Sequence, residues 1–443
     1  LKNKVYLFLI CFLLGVLTSF SLPPYNLFFI NFLTLPVLLY ILVNYVNKKT
    51  ISFFVGWVFG FGYFISNLYW ITNSLTFEVN FKFIIPFALI LIPLFLGIFY
   101  GLATFLCNFF NLKNKISSIL IFSIFFGSIE FLRSFIFGGF PWNLIVFSLS
   151  NNLASLQILS YVGTYSLNLL SITIFLLPII FFFKYKNSIK LIIFSFGLIL
   201  VVLNFLYGNF NIENFEKKKS DNLVSVIRVV SPNIPIERFL SNQDIEKNIN
   251  ELITLSNPNN DKKTIFIFPE GIITSIYFKD LKLFKNIFKR KFNINHKIIL
   301  GINSVKESKI YNSLAVLNNE TELLYKYNKN KLVPFGEFLP FENIFKKVGL
   351  KKITQGYQSF SADNKREVLN INQLKFIPLI CYEIIYSGNI NPNKKYYDFI
   401  LNISEDGWFG KSIGPTQHLS HSIFRSIEEG KNVIRSTNNG VSV

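Results

Sequence analysis

The chain has 443 residues, of which 51% are hydrophobic and 17% aromatic, and its mean hydropathy is +0.42. This composition excludes a single soluble domain, so a large part of the chain is expected to lie in lipid. The net charge of +19 has the sign that nucleic acids attract, but Lys outnumbers Arg 37 to 7 and accompanies abundant Asn, Ile and Phe, as AT-rich codon usage produces, so we expect no nucleic-acid partner.

The charged residues divide the chain into two parts. Only 11 of the 44 Lys and Arg residues, and 2 of the 25 Asp and Glu residues, precede residue 208. The boundary lies near the segment GNFNIENFEKKKSD at 208–221. We therefore predict an apolar domain over residues 1–208 and a polar domain over residues 209–443.

The apolar part contains stretches long enough to cross a hydrocarbon core of roughly 30 Å. They predict a multi-span α-helical membrane domain with seven spans, at about 5–22, 27–46, 51–71, 83–107, 116–138, 158–183 and 191–208. With the N-terminus inside, the inner connections hold nine lysines, whereas the outer ones hold only Lys82, with Arg133 near a span end. Basic residues are retained on the cytoplasmic side, so an odd number of spans places the polar part outside the cytoplasmic membrane.

Glu130 and Arg133 lie within the fifth predicted span, three residues apart and so on one helical face, where they can pair. We expect a structural pair rather than a contact with substrate. The next segment, GFPWNLIVFSLSNN at 139–152, is uncharged but too irregular for another span. It is either a re-entrant or interfacial segment with Trp142 at headgroup depth, or an ordinary loop with an aromatic anchor.

In the polar part, short β-branched runs alternate with helical stretches, and this pattern predicts a layered α/β domain. The predicted strands are 222–230, 264–270, 297–302, 311–317, 323–327, 374–383 and 398–404. The predicted helices are 242–256, 279–291 and 416–430.

Three of these strands lead to a reactive side chain, namely Glu270, Lys329 and Cys381. In such folds the functional residues usually lie where a strand ends and a loop begins. Cys381 is the one cysteine of the polar part, so we expect a free thiol. A thiol is a good nucleophile as thiolate; Glu270 can accept its proton, while Lys329 can lower its pKa and stabilise an oxyanion. The trio predicts acyl transfer.

This chemistry requires neither a metal nor a cofactor, and we predict neither. A metal site would need clustered ligands, and the three histidines have no metal-type set of partners in the sequence. They are His296, His418 and His421.

The trio and its surroundings resemble the nitrilase superfamily and, within it, the apolipoprotein N-acyltransferases. A seven-span region with GFPWN after an E-x-x-R pair is also similar to that family. The motifs that carry the resemblance are FPEG around Glu270, YNKNKLVPFGEFLP at 327–340, CYE at 381–383, LNISEDGWFGKSIGPTQHL at 401–419 and RSTNNGV at 435–441.

The resemblance implies an αββα nitrilase-like sandwich for the polar domain. It also implies that Cys381 takes an acyl chain from a phospholipid as a thioester and passes it to the N-terminal amine of a diacylglyceryl-cysteine apolipoprotein at the periplasmic face of the bacterial inner membrane. Glu270 would be the general base and Lys329 would stabilise the tetrahedral intermediate. Three supporting residues match family positions: Glu337, which would hold Lys329, Tyr382, whose backbone N–H would be an oxyanion donor, and Glu383.

The sequence departs from the family pattern at several positions. Phe239 or Leu240 stands where the family commonly has Trp after N-I-P, Gly271 stands where Ser or Thr usually follows P-E, and Ser404-Glu405-Asp406-Gly407 replaces S-N-D-A. The family continues with another strand and a last membrane span, which we expect to be missing after Val443.

Two other functions remain as alternatives. A membrane-bound amidase or other carbon–nitrogen hydrolase would use the same trio with water as the acceptor, because both reactions pass through a thioester. A transporter with an extracytoplasmic domain would need ionisable or discontinuous helices near the bilayer midplane, and Glu130 and Arg133 are its only candidates among the predicted spans.

Overall fold

A computed structural model describes residues 2–77, 79–217, 225–239, 244–340, 359–388 and 390–443. The chain forms two compact units. The first contains Leu1–Thr72, Lys82–Lys219 and Ile427–Glu429, and the second contains Asn73–Phe81, Ser220–Ser426 and Gly430–Val443. The starts of the predicted strand 222–230 and helix 242–256, the end of the boundary segment 208–221, and Leu240 lie outside the described residues.

The first unit is helical. Its helices are α1 (Lys2–Ser19), α2 (Asn31–Tyr45), α3 (Lys49–Leu68), α4 (Ile85–Cys107), α5 (Ser117–Arg133), the short α6 (Leu153–Leu156), α7 (Leu159–Leu176) and α8 (Asn187–Lys217). Among the described residues, five helical stretches are long and apolar enough to cross a membrane: Phe28–Tyr45, Lys49–Leu75, Phe81–Cys107, Leu159–Phe182 and Asn187–Lys217. Two other predicted spans correspond to shorter apolar helices, Lys4–Ser19 within α1 and the 17-residue α5. The count of seven spans stays a prediction.

Glycines let α3 and α4 approach closely. Gly56 and Gly60 are four residues apart on α3, as Gly97 and Gly101 are on α4. A Cβ added at Gly60 would lie 2.9 Å from the Cα of Gly97, so a side chain there would separate the helices. Small residues at this spacing are typical of helix packing in membranes.

The predicted pairing of Glu130 with Arg133 is confirmed. The two side chains also form shorter hydrogen bonds to other groups. The nearest charged atoms are 3.8 Å apart, and both side chains are buried. Glu130 accepts hydrogen bonds from the Tyr100 hydroxyl at 2.7 Å and the Asn168 amide at 2.6 Å. The Arg133 guanidinium donates to the backbone carbonyls of residues 140 and 143. The network therefore joins three helices to the irregular segment after α5.

That segment, 139–152, contains a 3-10 turn at Ile145–Leu149 and no span-length helix. Trp142 is 3% exposed and packs against Trp70 with ring centroids 5.0 Å apart. The Asn168 side chain also accepts from the backbone N–H of Val146 at 2.9 Å. Buried irregular backbone needs such partners because water cannot satisfy it.

The second unit contains two sheets. The first has the order β1-β2-β3-β4-β5, with β1 (Val226–Val229), β2 (Thr264–Ile267), β3 (His296–Lys306), β4 (Lys309–Leu317) and β5 (Leu323–Asn328). The second has the order β6-β7-β8-β9, with β6 (Leu369–Ile371), β7 (Leu374–Ile380), β8 (Phe399–Glu405) and β9 (Asn432–Asn438). In the first sheet β1, β2 and β3 are parallel, and in the second β7, β8 and β9 are parallel. The carboxyl ends of parallel strands lie at the same edge of a sheet, and ligand-binding and catalytic sites usually form there.

Helices α9 (Ile245–Ser256), α10 (Lys285–Lys291) and α11 (Gly414–Glu429) accompany these sheets. The apolar sides of α9 and α10 pack on the first sheet through buried residues such as Leu252, Phe288 and Phe266. The predicted helix 279–291 is confirmed, and its first half is a 3-10 helix, Phe278–Phe284, that leads directly into α10. Strands β6 and β9 were not predicted.

The Glu130 and Arg133 network generates the first prediction. Arg133→Met should lower the thermal unfolding midpoint of the detergent-solubilised protein, because it removes the donors to two buried carbonyls and leaves Glu130 without its cation, a change that costs roughly 3 kcal/mol or more. Lys113→Met changes an exposed lysine of the same unit and is the matched control. Equal midpoints for the two variants would contradict the structural role.

Candidate active site

The two sheets bring the three predicted residues together. Lys329 directly follows β5, and Cys381 directly follows β7. Glu270 lies three residues beyond the end of β2 rather than on the strand. The predicted strand 374–383 ends early, because residues 381–385 form a 3-10 turn. Lys329 and Cys381 therefore follow strand ends immediately, as expected. Glu270 follows its strand end after two intervening residues.

Lys329 lies between two carboxylates in a buried position. Its Nζ is 3.2 Å from Oε1 of Glu270 and 3.0 Å from Oε1 of Glu337. Lys329 is 1% exposed. Burial by itself lowers the lysine pKa, but Glu270, Glu337 and the nearby Cys381 raise it, and the resulting pKa is well above the ordinary value. The ammonium is therefore permanently charged.

Asn312, in the middle of β4, connects the two carboxylates. Its side-chain amide donates to Oε1 of Glu270 at 2.7 Å and to Oε1 of Glu337 at 2.8 Å. The backbone N–H of Lys329 donates to the Asn312 carbonyl at 2.9 Å. Glu337 is fixed at its other oxygen by the N–H of Val333 at 2.9 Å. Asn312 was not predicted, yet a polar residue on the buried half of the apolar run YNSLAVL was a signal for it.

Cys381 adopts a strained backbone conformation, with φ of +50°. Such a conformation is uncommon for a residue with a side chain and costs of order 1–3 kcal/mol. The carbonyl of Cys381 accepts from the Asn402 side chain at 3.4 Å. Asn402 in turn accepts from the guanidinium of Arg435. The strained residue is the first of the 3-10 turn Cys381–Ile385.

The Cys381 thiol is free, as predicted, and it is buried. Burial raises its pKa most, the Glu270 carboxylate and Asp406 raise it further, and Lys329 and the Ser404 hydroxyl lower it. The resulting pKa is far above the ordinary value, so the thiol is protonated at neutral pH. Lys329 lowers the thiol pKa, but by less than burial and the carboxylates raise it. The thiol therefore needs a base to accept its proton when it attacks.

Glu383 links the cysteine turn to the segment that follows Lys329. Its carboxylate accepts from the backbone N–H groups of Ile380 at 2.8 Å and Asn330 at 2.8 Å. The Tyr327 hydroxyl donates to it at 2.7 Å, and Arg366 forms an ion pair at 2.9 Å. Burial and the carboxylate raise the pKa of Tyr327 well above the usual value, so the hydroxyl keeps its proton. Glu383 therefore holds the nucleophile and the lysine segments together.

A second buried cluster lies beneath Cys381. Asp406 accepts from the Ser404 hydroxyl at 2.8 Å and pairs with Arg435 at 2.9 Å and His418 at 2.9 Å. Burial raises the pKa of Asp406, but Arg435 and His418 outweigh it and bring the pKa to about 2. His418 also interacts with the backbone of Cys381. The described residues contain no group of three or more His, Cys, Asp or Glu side chains that could hold a metal ion.

Both parts of the chain match known protein families. Residues 14–177 match the family described as apolipoprotein N-acyltransferase N-terminal domain, and residues 240–443 match the carbon-nitrogen hydrolase family. A relative from Rickettsia prowazekii, named apolipoprotein N-acyltransferase, is 33% identical over all of this chain and 87% of its own length. One of the same name from Rhizobium rhizogenes is 29% identical over 98% of this chain and 85% of its own length.

The chain belongs to the apolipoprotein N-acyltransferase family. The predicted resemblance is therefore confirmed, and so is the fold class, an α-helical membrane domain followed by a nitrilase-like α/β domain. Five apolar helices among the described residues and the family match agree that it is a membrane protein. The roles of the six predicted site residues remain proposals.

Among those six, Tyr382 differs from the rest in its contacts. Its ring packs against Tyr386, with centroids 5.5 Å apart, whereas Glu337 and Glu383 directly bind the segments that carry Lys329. The role predicted for Tyr382, that of its backbone N–H as an oxyanion donor, stays a proposal.

The protonated thiol of this family member generates the second prediction. In a Cys11→Ala/Cys107→Ala background, the rate of Cys381 alkylation by iodoacetamide should rise by about tenfold per pH unit from pH 7 to 9, because the thiolate fraction grows in that way below a raised pKa. Lys329→Ala should react more slowly at every pH, since it removes the cation that favours thiolate. Peptide mass spectrometry measures the rates, and a plateau below pH 8 would indicate a resting thiolate and contradict the prediction.

Proposed function

We propose that this chain transfers an acyl chain from a phospholipid to the N-terminal amine of a diacylglyceryl-cysteine apolipoprotein, with Cys381 carrying the acyl group as a thioester. The observation that carries the proposal is the buried Glu270, Lys329 and Cys381 constellation in a chain of the apolipoprotein N-acyltransferase family. The name of these relatives supplies the acceptor class, and the apolar helices favour a lipid donor.

In the first step Glu270 acts as the general base. It takes the proton from the Cys381 thiol while the sulfur attacks the ester carbonyl of the phospholipid, and a carbon–sulfur bond forms. The tetrahedral intermediate then expels the glycerol oxygen, which receives the proton from Glu270, so a lysophospholipid leaves and the thioester remains. A protonated resting thiol requires such a base, and this assistance is worth about a hundredfold or more in rate.

Lys329 has the second role. Its ammonium, fixed by Glu270 and Glu337, is a preorganised positive charge beside the reacting sulfur, as the mutual influence of Lys329 and Cys381 on their pKa values indicates. We assign to it the stabilisation of the negative oxygen of each tetrahedral intermediate. The backbone N–H of Tyr382 is the further oxyanion donor. Asn312, Glu337 and Glu383 position these groups.

The second step discharges the thioester. The apolipoprotein amine attacks the thioester carbonyl, Glu270 accepts a proton from the nitrogen, and the sulfur leaves and recovers a proton as the amide forms. A hydrolase would follow the same course with water in place of the amine. The two reactions differ only in their products, so the acceptor must be tested directly.

We also propose that the polar domain lies on the periplasmic side of the bacterial inner membrane. The support is the excess of lysine in the connections that an inside N-terminus would leave in the cytoplasm. Both substrate classes in the proposed reaction would then be reached from the outer leaflet.

The third prediction tests the chemistry. Purified protein in detergent, mixed with phospholipid carrying a labelled acyl chain, should form a hydroxylamine-sensitive acyl-enzyme that Cys381→Ala lacks. Glu270→Gln should slow its formation by roughly hundredfold or more because the base is lost. Lys329→Ala should slow it by a similar factor because oxyanion stabilisation is lost. Lys331→Ala, two residues away on the same segment, is the matched control and should react normally.

Adding a diacylglyceryl-cysteine peptide should then move the label to the peptide amine. Release mainly as free fatty acid would favour the amidase or hydrolase alternative. Label that persists in Cys381→Ala, on Cys11 or Cys107, would show that the nucleophile is wrongly assigned.

The fourth prediction tests the orientation. In a background without the three native cysteines, Asn259→Cys, at an exposed position on the polar domain, should react with a membrane-impermeant maleimide once the outer membrane is permeabilised. Lys186→Cys, in a predicted inner connection, is the control and should react only after the inner membrane is opened. The reverse pattern would overturn the proposed topology.

A further inference from the structure

A buried ion pair that the catalytic chemistry does not use lies beside the proposed base. Arg238, in the 3-10 turn Ile236–Phe239, pairs with Glu405, the last residue of β8. Each is 1% exposed. The pair belongs to neither the Glu270, Lys329 and Cys381 trio nor the Asp406 cluster, and removing two charges from water is costly. Its position beside the proposed base suggests what it does.

Glu405 contacts the base through its own backbone. Its N–H donates to Oε2 of Glu270 at 3.0 Å. The other carboxylate oxygen, Oε1, receives Lys329 at 3.2 Å and Asn312 at 2.7 Å. The Glu405 N–H therefore holds Oε2 of Glu270, while Lys329 and Asn312 hold Oε1. Contacts at both oxygens together define the plane of the Glu270 carboxyl group.

The Glu405 side chain is held by several donors besides Arg238. The N–H of Gly407 donates to Oε1 at 2.8 Å, and Asn439 does so at 3.2 Å. Asn438 donates to Oε2 at 2.7 Å. The end of β8 is thus locked in one conformation, and the N–H that faces Glu270 is locked with it.

Arg238 acts on the same base from the other direction. Its Nε donates to the carbonyl of Gly271, the residue after Glu270, at 3.2 Å. Its Nη1 donates to the carbonyls of Ile234 and Pro235, each at 3.3 Å. The Arg238 carbonyl accepts from the Thr274 hydroxyl at 3.0 Å. One guanidinium therefore connects the segment that carries Glu270 with the strand end that binds its carboxylate.

We infer that Arg238 and Glu405 form a positioning pair that sets the orientation of the Glu270 carboxylate toward the Cys381 thiol. The inference rests on the proposed role of Glu270 as the base. A buried pair contributes little net stability compared with apolar residues of similar volume, whereas a small misplacement of a reacting group can lower a rate by up to roughly a hundredfold. Loss of the pair should consequently affect the rate of attack on lipid more than the binding of lipid.

The test compares neutral replacements of the pair in the full-length protein. Glu405→Gln and the double variant Arg238→Met/Glu405→Gln should form the Cys381 acyl-enzyme roughly tenfold to a hundredfold more slowly at saturating phospholipid. The phospholipid concentration that gives half the maximal rate should stay unchanged. The double variant buries no uncompensated charge, so it keeps the test valid if Glu405→Gln alone fails to fold. Glu320→Gln, which removes the carboxylate of an ion pair with Lys285 on the surface, is the matched control.

Glu270→Gln is measured beside them, with the thermal midpoint of each variant. A double variant that acylates at the wild-type rate while Glu270→Gln is slow would overturn the positioning role and leave the proposed function intact. A loss confined to the thermal midpoint, or a shift in the half-saturating lipid concentration at an unchanged maximal rate, would also overturn it. If Glu270→Gln itself reacts at the wild-type rate, the proposed function fails, and the inference fails with it.

Discussion

The buried ammonium of Lys329 is the constraint on which the active-site region depends. A lysine that is 1% exposed loses nearly all of its hydration, a cost of several kcal/mol unless charged partners replace the water. The carboxylates of Glu270 and Glu337 replace the lost water around the ammonium, and the Asn312 amide donates a hydrogen bond to each of them. Because two negative charges then surround one positive charge, the environment of Cys381 is not cationic overall. The thiol stays protonated chiefly because burial raises its pKa, and the nearby carboxylates of Glu270 and Asp406 raise it further.

This charge balance explains why the site needs rigid backbone around it. A protonated thiol can react only if its proton leaves toward a base in the correct direction, so the relative orientation of Glu270 and Cys381 matters more than the thiol pKa. The two residues come from different sheets. Glu383 joins the cysteine turn to the lysine segment, and the N–H of Glu405 joins β8 to Glu270. Hydrogen bonds to buried carboxylates thus connect the two sheets. Apolar contacts alone would not fix the orientation of Glu270 relative to Cys381.

The sequence allowed the apolar and polar parts, most strands and the catalytic trio to be predicted, because these depend on local patterns: hydropathy, β-branched runs and reactive residues after them. Strand β9 was missed because NVIRSTN is half polar, and its buried Arg435 and Asn438 read as surface residues until their partners on β8 are known. The Arg238 pair was missed for the same reason, whereas Asn312 could have been found from its place in the apolar run YNSLAVL. Buried polar contacts between residues far apart in sequence leave no periodicity, and only tertiary structure shows that they are satisfied.

Gly271, one of the expected departures from the family pattern, is in contact with Phe239, which is one of the two residues, with Leu240, that the sequence offers at another. Gly271 has φ of +52°, which disfavours any side chain, and a Cβ there would lie 3.0 Å from Cζ of Phe239. The ring therefore occupies the space that a serine or threonine would need. It also packs against Trp408, with centroids 5.2 Å apart, and lies under the Arg238 guanidinium at 4.3 Å. A hydroxyl residue placed at 271 alone would both strain the backbone and require the Phe239 ring to shift, next to the arginine that contacts the Gly271 carbonyl.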